Sequence, residues 1–266
     1  MPRMPTLTDI EHARPSSTVL IARARDGTVD TEPEVFMVQR HSGSTFGSAY
    51  AFPGGVVDDV DRKVADFCGG FSNLDANLRL GVEGGGLSYY SAAIRELFEE
   101  TGVLLADFGQ LDQDLAAIRA ALNNGSLDWD EFLSNARLTL HCDQLHYFSH
   151  WITPSSEPRR YSTRFFLAVM PDGQVAEHCG GELTASCWAT PADILAAERR
   201  GDLNMIFPTI KTLESVARHK TLQDLVEWAR SSVDWGITTM VPLMIKRDGK
   251  DEIVLPGDKD YPGAKS

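Results

Sequence analysis

The chain has 266 residues, and 25 Lys and Arg against 38 Asp and Glu give it a formal net charge of −13. An acidic chain lacks the positive field that non-specific binding to nucleic acid or to an anionic membrane surface requires, so we expect neither as a partner. Its 42% hydrophobic and 24% charged residues are ordinary for a globular protein. No stretch approaches the ~20 apolar residues of a membrane helix. Residues 1–15 lack an apolar secretory core, so we expect a cytoplasmic protein.

In chain order, residues 1–15 are polar and predict a loose arm, followed by a single domain over 16–255 and a tail over 256–266. Apolar and β-branched residues predict strands over 17–23 and 34–40.

The next segment carries turn signals. Phe52-Pro53-Gly54-Gly55 predicts a turn with close backbone approach. Residues 56–90 are rich in Gly and Asp and predict an irregular insertion. A helix is predicted over 91–101, with Ser91 at its start and Gly102 after its end.

The second half of the chain predicts mostly helices. Residues 106–150 read as a helical insertion, with helices near 115–122 and 129–136. Alternating strands and helices indicate a mixed α/β (α+β) domain with helical additions. The remaining predicted elements are strands over 161–170, 182–189 and 240–246, and C-terminal helices within 191–231, at 191–200, 208–219 and 221–231.

The most informative residues lie on the helix over 91–101. Glu96, Glu99 and Glu100, hereafter the acidic cluster, share one helix face, and Arg95 is the one adjacent cation. One arginine does not neutralise three carboxylates, whereas Mg²⁺ prefers carboxylate, phosphate and water oxygens. The alternative is a solvated acidic helix face, which is the usual meaning of a Glu-rich helix.

The segment resembles the Nudix box, which runs Gly, five residues, Glu, seven residues, then Arg-Glu-apolar-any-Glu-Glu-any-Gly-apolar. Arg95 to Val103 meets the second half at every fixed position, and Phe52-Pro53-Gly54-Gly55 meets its opening. The 39 residues 56–94 separate Gly55 from Arg95, where the pattern has 13. An interrupted box resembles the branch typified by the peroxisomal coenzyme A diphosphatase and its bacterial relatives. Further similar segments are Trp151-Ile152-Thr153-Pro154, Arg159 to Ala168, Trp188-Ala189-Thr190-Pro191 and Phe207-Pro208-Thr209.

The resemblance implies a Nudix fold, in which a mixed sheet lies between helices. It also implies that Glu96, Glu99 and Glu100 hold Mg²⁺ or Mn²⁺, helped by a backbone carbonyl of the turn at Gly55. The general base stays open between Glu99, Glu100 and Glu182. Arg95 belongs to the same catalytic motif.

One position departs from the box. Eight residues before Arg95, where the pattern has its first Glu, the chain has Leu87. In the family that Glu is mostly a structural partner of the Arg. An acid from the insertion, such as Glu83, could take its place.

Three arginines are candidates for phosphate binding, because a planar guanidinium group can donate two hydrogen bonds to one phosphate. These are Arg40, Arg160 and Arg164, of which Arg164 is flanked by core-strand residues. Each could instead form an ion pair with a nearby acid.

The implied reaction is metal-dependent hydrolysis of a nucleoside diphosphate linked to a second group. The small-molecule substrate expected first is coenzyme A or an acyl-coenzyme A, giving 3′,5′-ADP and a phosphopantetheine product. ADP-ribose, NADH or a dinucleotide, and a catalytically silent nucleotide-binding module, are the alternatives. We further expect the insertion over 56–90 to border the substrate, and the resemblance leaves a homodimer open.

Overall fold

A mixed sheet of eight strands organises the computed structural model, which describes residues 12–41, 48–107, 114–180 and 183–262. Six strands follow the order Leu183–Ala189 (β10), Pro33–Arg40 (β2), Arg14–Ala24 (β1), Tyr161–Val169 (β9), His146–Ile152 (β8) and Thr239–Met240 (β11), while Tyr50–Ala51 (β3) pairs with β2 and Gly54–Val56 (β4) with β1. Strands β1 and β9 are parallel, as are β8 and β11, and the other neighbours are antiparallel.

Two smaller sheets and eight α-helices complete the described part of the chain. One small sheet has the strand order Cys68–Gly69 (β5), Thr139–His141 (β7) and Ala106–Asp107 (β6), and the other is the hairpin of Leu243–Arg247 (β12) and Lys250–Val254 (β13). The helices are Asp59–Lys63 (α1), Asn73–Leu80 (α2), Gly86–Thr101 (α3), Leu115–Asn123 (α4), Trp129–Ala136 (α5), Pro191–Arg200 (α6), Phe207–Val216 (α7) and Leu222–Trp235 (α8).

Alternating side chains of the main sheet enter two separate cores. Val19 and Ile21 of β1 pack in the core that contains α3, whereas Leu20 and Ala22 pack in the core that contains α6, α7 and α8. A strand directs successive side chains to opposite faces, so both faces of this apolar strand are covered by helices. The expected sandwich of a mixed sheet between helices is therefore confirmed.

The segment over 56–90 is more regular than we expected, because it contains α1 and α2. These helices have only five and eight residues, too short for a strong periodic pattern in the sequence. Helix α2 supports the start of α3, since the backbone N–H of Gly86 donates to Asn77 Oδ1 at 2.7 Å and that of Leu87 to Asn73 Oδ1 at 3.3 Å. The insertion thus caps the helix that carries the acidic cluster.

The predicted start of α3 at Ser91 is wrong, because the helix begins at Gly86. Gly85 before it has φ of 71°, a left-handed conformation that glycine adopts without steric cost. Ser91 is fully buried inside the helix, and its hydroxyl donates to Asp61 Oδ1 at 3.0 Å. The hydroxyl that indicated a cap is used for a tertiary contact instead.

The segment over 106–150 contains the two predicted helices, α4 and α5, but also strand β8 of the main sheet. We missed β8 because it mixes aromatic residues with His146, Ser149 and His150. Strand β13 was also missed. None of the helices in the described ranges combines the length and apolar character that a bilayer span requires.

His150 on β8 gives the fold a specific pH dependence. Its ring nitrogens lie 2.8 Å from Ser162 Oγ and 3.0 Å from Thr239 Oγ1, and burial, helped by the positive charge of Arg164, lowers its pKa from 6.5 to about 3. As pH falls below 6.5 the unfolded chain binds a proton that the folded chain does not, so stability falls. We expect His150 to account for a loss of about 2 kcal/mol between pH 6.5 and pH 5.

The measurement is urea unfolding of the protein and of the His150→Asn variant at both pH values. The variant has no imidazole to protonate, so its free energy of unfolding should change less over this range. An equal change in both proteins would contradict the assignment.

Candidate active site

The Gly54-Gly55 turn lies against the acidic face of α3. The backbone N–H of Gly54 donates to Glu100 Oε2 at 2.9 Å. A Cβ atom added to Gly55 would lie 2.4 Å from Glu96 Oε1, closer than any real contact allows. Only glycine at position 55 lets the turn approach the carboxylate of Glu96 this closely.

Arg95 connects the acidic cluster to the insertion. Its Nη1 donates to Glu96 at 2.9 Å and to Glu99 at 3.1 Å, and its Nη2 donates to the carbonyl of Val56 at 3.0 Å. Its Nε and Nη2 donate to the two carboxylate oxygens of Asp61 at 3.1 and 2.9 Å. One buried guanidinium group therefore orients three carboxylates and the strand that follows the turn.

Asp61 is the acid that the sequence analysis missed. It is fully buried and accepts hydrogen bonds from Ser91 Oγ and from the backbone N–H of Asp58, at 3.0 and 2.9 Å. Glu83, considered for this role, is exposed, and Leu87 is buried in the core. The carboxylate that supports Arg95 is therefore that of Asp61.

Counting forward from Gly55 would have found this residue. Five residues follow Gly55, and the sixth position, where the Nudix box has its first Glu, is Asp61. A count back from Arg95 reaches Leu87 instead. The 33 residues 62–94 replace the seven of the pattern, so the whole surplus of 26 lies in the second spacer.

The electrostatics of the cluster favour a bound cation. Burial raises the pKa of Glu99 to about 7, although the charge of Arg95 opposes the shift, and burial likewise raises the pKa of Glu96. These carboxylates carry negative charge that Arg95 alone does not compensate. A divalent cation would stabilise their ionised forms.

Glu100 is held differently from the other two. Its buried carboxylate accepts a hydrogen bond from the backbone N–H of Gly54. It also accepts one from Nη2 of Arg40 at 3.4 Å. The same nitrogen of Arg40 donates to the carbonyl of Gly54 at 2.7 Å. Arg40 thus stabilises both the turn and the adjacent end of the acidic cluster.

The donor set fits a divalent metal ion by its chemistry. Among the described residues, no three His, Cys, Asp or Glu side chains converge as a preformed metal site. The carboxylates of the cluster instead contact Arg95, Arg40 and the Gly54 N–H. Hard divalent cations prefer carboxylate oxygens, so a bound ion would take over part of the role of these donors.

A cavity of about 920 Å³ opens beside the turn. Arg40, Gly54 and Gly55 line it on the side of the acidic cluster. Its other lining residues are mostly apolar and include Trp151 and Phe207. This volume is at the upper end of the range for small-molecule sites, about 300–1,000 Å³.

The predicted phosphate-binding arginines lie in three different places. Arg40 lines the cavity. Arg160 does not, but its neighbour Arg159, which the sequence analysis does not single out, lines the cavity instead. Arg160 Nε donates to the carbonyl of Thr153 at 3.2 Å. Arg164 is buried on the opposite face of the sheet, with its guanidinium carbon 4.2 Å from the ring centre of Tyr89. The structure therefore does not support direct contact between Arg164 and a ligand in this cavity.

Two further expectations concern residues away from the acidic cluster. Glu182 lies outside the described residues. The insertion contributes Val56 to the cavity lining, but its helices α1 and α2 lie elsewhere. Its observed contacts support Arg95 and the start of α3, and the expectation that it borders the substrate stays a prediction.

The contact between Gly55 and Glu96 predicts that substitutions at the two glycines of the turn have different effects, one mainly on activity and the other mainly on stability. In Gly55→Ala the new methyl group should displace the Glu96 carboxylate, the end of a flexible side chain, and lower turnover at least about tenfold with little loss of stability. In Gly54→Ala the methyl group would lie 2.3 Å from the backbone oxygen of Ser17, so the fold itself should be destabilised.

Rates and melting temperatures of both variants test this prediction. Gly84→Ala is the control, since an added Cβ there meets no atom within 4 Å. Full activity of Gly55→Ala would show that the position of Glu96 does not matter.

Comparisons with known proteins agree with the geometry. A family model described as the NUDT19 Nudix domain matches residues 82–216, and a general NUDIX domain model matches residues 14–118. The putative nudix hydrolase 7 of Caenorhabditis elegans is 26% identical over 239 residues, which are 87% of this chain and 70% of that protein. The acyl-coenzyme A diphosphatase NUDT19 of Homo sapiens is 25% identical over 274 residues, covering 85% and 72%. The crystal structure of a NUDIX hydrolase from Alicyclobacillus acidocaldarius is 26% identical with a TM-score of 0.65, covering 79% of this chain and 94% of that one.

Proposed function

Because the chain belongs to the NUDT19 Nudix domain family, we propose that it hydrolyses the diphosphate of coenzyme A or of an acyl-coenzyme A. The products are 3′,5′-ADP and phosphopantetheine or its acyl derivative. One observation carries the proposal: the Gly54-Gly55 turn, which contacts Glu96 and Glu100 of the acidic cluster, also lines a large, mainly apolar cavity. Such a cavity suits a nucleotide with a long second group. The relative from Homo sapiens that is named for this activity matches 85% of the chain.

Nudix hydrolases generally use divalent metal ions. Here Glu96, Glu99 and Glu100 would hold Mg²⁺ or Mn²⁺ together with the carbonyl of Gly55. When bound, such an ion would neutralise charge on the diphosphate oxygens and would lower the pKa of an attacking water.

The protein residues position the substrate and move the proton. Arg40 lines the cavity beside Gly54, where its positive charge would meet a diphosphate oxygen. Glu99 is the most exposed carboxylate of the cluster, with 21% of its side chain accessible against 15% for Glu96 and 8% for Glu100. Glu99 is therefore our first choice for the general base that accepts the proton of the attacking water. Arg95 holds this carboxylate in place and is itself fixed by Asp61.

Product analysis tests the function directly. The protein is incubated with coenzyme A, octanoyl-coenzyme A, ADP-ribose, NADH and a dinucleoside polyphosphate, each with Mg²⁺, with Mn²⁺ and with a chelator. We expect release of 3′,5′-ADP from the coenzyme A species only when metal is present. Turnover confined to ADP-ribose, NADH or the dinucleotide would refute the substrate proposal and leave the Nudix chemistry intact.

A further inference from the structure

A tryptophan of the helical insertion over 106–150 is linked to the acidic cluster by buried hydrogen bonds. Trp129 is the first residue of α5. Its indole Nε1–H donates to Ser91 Oγ on α3 at 3.1 Å, and the Ser91 hydroxyl donates to Asp61 Oδ1 at 3.0 Å. All three residues are buried, so water does not compete for these hydrogen bonds.

The hydrogen bonds of Ser91 have a fixed direction. An indole N–H only donates, and an ionised carboxylate only accepts. The Ser91 hydroxyl must therefore accept from Trp129 and direct its single proton at Asp61. Without the indole N–H, the hydroxyl would be free to turn to a carbonyl of the preceding helical turn, which is the usual local partner of a serine inside a helix.

Asp61 receives two donors on each carboxylate oxygen. Its Oδ1 accepts from Ser91 and from Arg95 Nε at 3.1 Å. Its Oδ2 accepts from Arg95 Nη2 and from the backbone N–H of Asp58, both at 2.9 Å. Ser91 and Asp58 thus hold the carboxylate on the sides that Arg95 leaves free. A carboxylate held in this way fixes the plane of the guanidinium group that binds it with two nitrogens.

The plane of the Arg95 guanidinium group determines where it holds the acidic cluster. The group is rigid and planar, so binding of Nε and Nη2 to Asp61 also sets the direction of Nη1. Nη1 donates to Glu96 at 2.9 Å and to Glu99 at 3.1 Å. An unbroken path of hydrogen bonds therefore connects Trp129 to two carboxylates of the cluster.

We propose that Trp129 and Ser91 are positioning residues for the hydrolysis, which align the carboxylates of the acidic cluster. They act through Asp61 and Arg95, and neither lines the cavity. The helical insertion thereby contributes to turnover as well as to the core. This inference rests on the proposed function, because it takes the acidic cluster to act in the hydrolysis.

The kinetic test is a double-mutant cycle of Ser91→Ala and Trp129→Phe, measured with coenzyme A at saturating Mg²⁺. Alanine preserves the helix and removes the hydroxyl, whereas phenylalanine keeps an aromatic ring without an N–H. We expect each single variant to lower kcat about tenfold, because the carboxylates are displaced, and to leave KM within about twofold. The double variant should have about the same kcat as Ser91→Ala, since the two side chains act through one path.

Phe132→Leu is the control for a loss of packing. Phe132 lies on the same helix, is also buried, and has its ring centre 5.8 Å from that of Trp129, but its side chain carries no hydrogen-bonding group. The variant should lose stability and keep kcat. A wild-type kcat in Ser91→Ala, independent effects of the two substitutions, or an equal loss of kcat in Phe132→Leu would overturn the inference.

Hydrogen exchange of the Arg95 side chain separates this inference from the proposed function. It is measured by NMR on protein with isotope-labelled arginine, in which a buried and hydrogen-bonded Nε–H exchanges slowly with water. Among the described arginines Arg95 and Arg164 are the buried ones, so the slow signal that remains in Arg164→Lys belongs to Arg95.

We expect Ser91→Ala and Trp129→Phe to speed the exchange of the Arg95 Nε–H at least about threefold, and Phe132→Leu to leave it nearly unchanged. If the protein hydrolyses no coenzyme A species, the proposed function fails, but the exchange rate still decides whether Trp129 and Ser91 hold Arg95. An unchanged exchange rate in both variants would overturn the inference, whatever the substrate.

Discussion

Replacing Asp61 with alanine should cost about 3–5 kcal/mol of folding free energy and abolish most activity. The substitution removes the only carboxylate in the described structure that binds both Nε and Nη2 of Arg95, whose exposed fraction is 5%. Asp61 accepts two of the hydrogen bonds of this buried guanidinium group, and removing one member of a buried ion-pair network is destabilising by about this amount. Freed from Asp61, the guanidinium group would also no longer hold Glu96 and Glu99 in a fixed position.

Urea unfolding and turnover of Asp61→Ala are the two measurements. Asp59→Ala is a matched control on the same short helix, because the Asp59 side chain is 97% exposed and its ion pair with Arg62 spans 3.5 Å. This exposed pair should contribute less than about 1 kcal/mol. If Asp61→Ala were as stable and active as Asp59→Ala, Asp61 would have no role in holding Arg95.

Asp61→Glu separates charge from geometry. It keeps the carboxylate but adds a methylene where the exposed fraction is zero, so it should recover part of the activity and less of the stability. If Asp61→Glu recovered neither activity nor stability, the packing of the site and not its charge would determine the effect of substitutions at this position.

The acidic cluster was predictable because its chemistry lies in local spacing. Glu96, Glu99 and Glu100 face one way on any helix, whatever the rest of the chain does. Asp61 was also within reach, at the expected distance after Gly55, but the insertion had to be placed after it. The sequence does not indicate on which side of position 61 a folded insertion begins, and a count from Arg95 led to Leu87.

The arginines show what strand patterns leave undetermined. Arg164 and Phe165 are adjacent on β9 and therefore point to opposite faces of the sheet. Phe165 lines the cavity and Arg164 lies beneath α3. The alternation of side chains along a strand predicts that Arg164 and Phe165 lie on different faces of the sheet. Strand pairing and helix placement decide which of these faces holds the cavity.

Glu99→Gln should lower kcat by about 10²–10⁴ if Glu99 is the general base, because glutamine cannot accept the proton of the attacking water. The fold should survive, since the amide keeps the shape of the carboxylate and can still accept a hydrogen bond from Arg95. Glu131→Gln, an exposed glutamate on α5, is the control and should keep the wild-type rate. A wild-type rate in Glu99→Gln would move the base to another carboxylate.

Stability adds a readout for Glu99 that does not depend on the substrate. Burial raises its pKa from 4.5 to about 7, so between these pH values the folded chain holds a proton that the unfolded chain has lost. Stability in the presence of a chelator should therefore fall as pH rises from 4.5 to 7. Glutamine does not ionise, so Glu99→Gln should be more stable than the wild type at pH 8, by about 1–3 kcal/mol. Added Mg²⁺ should narrow this difference, because the cation stabilises the ionised carboxylate that only the wild type has. Equal stabilities at pH 8 with chelator would show that the Glu99 carboxylate is already compensated by Arg95, and the electrostatic case for a cation at this residue would fail.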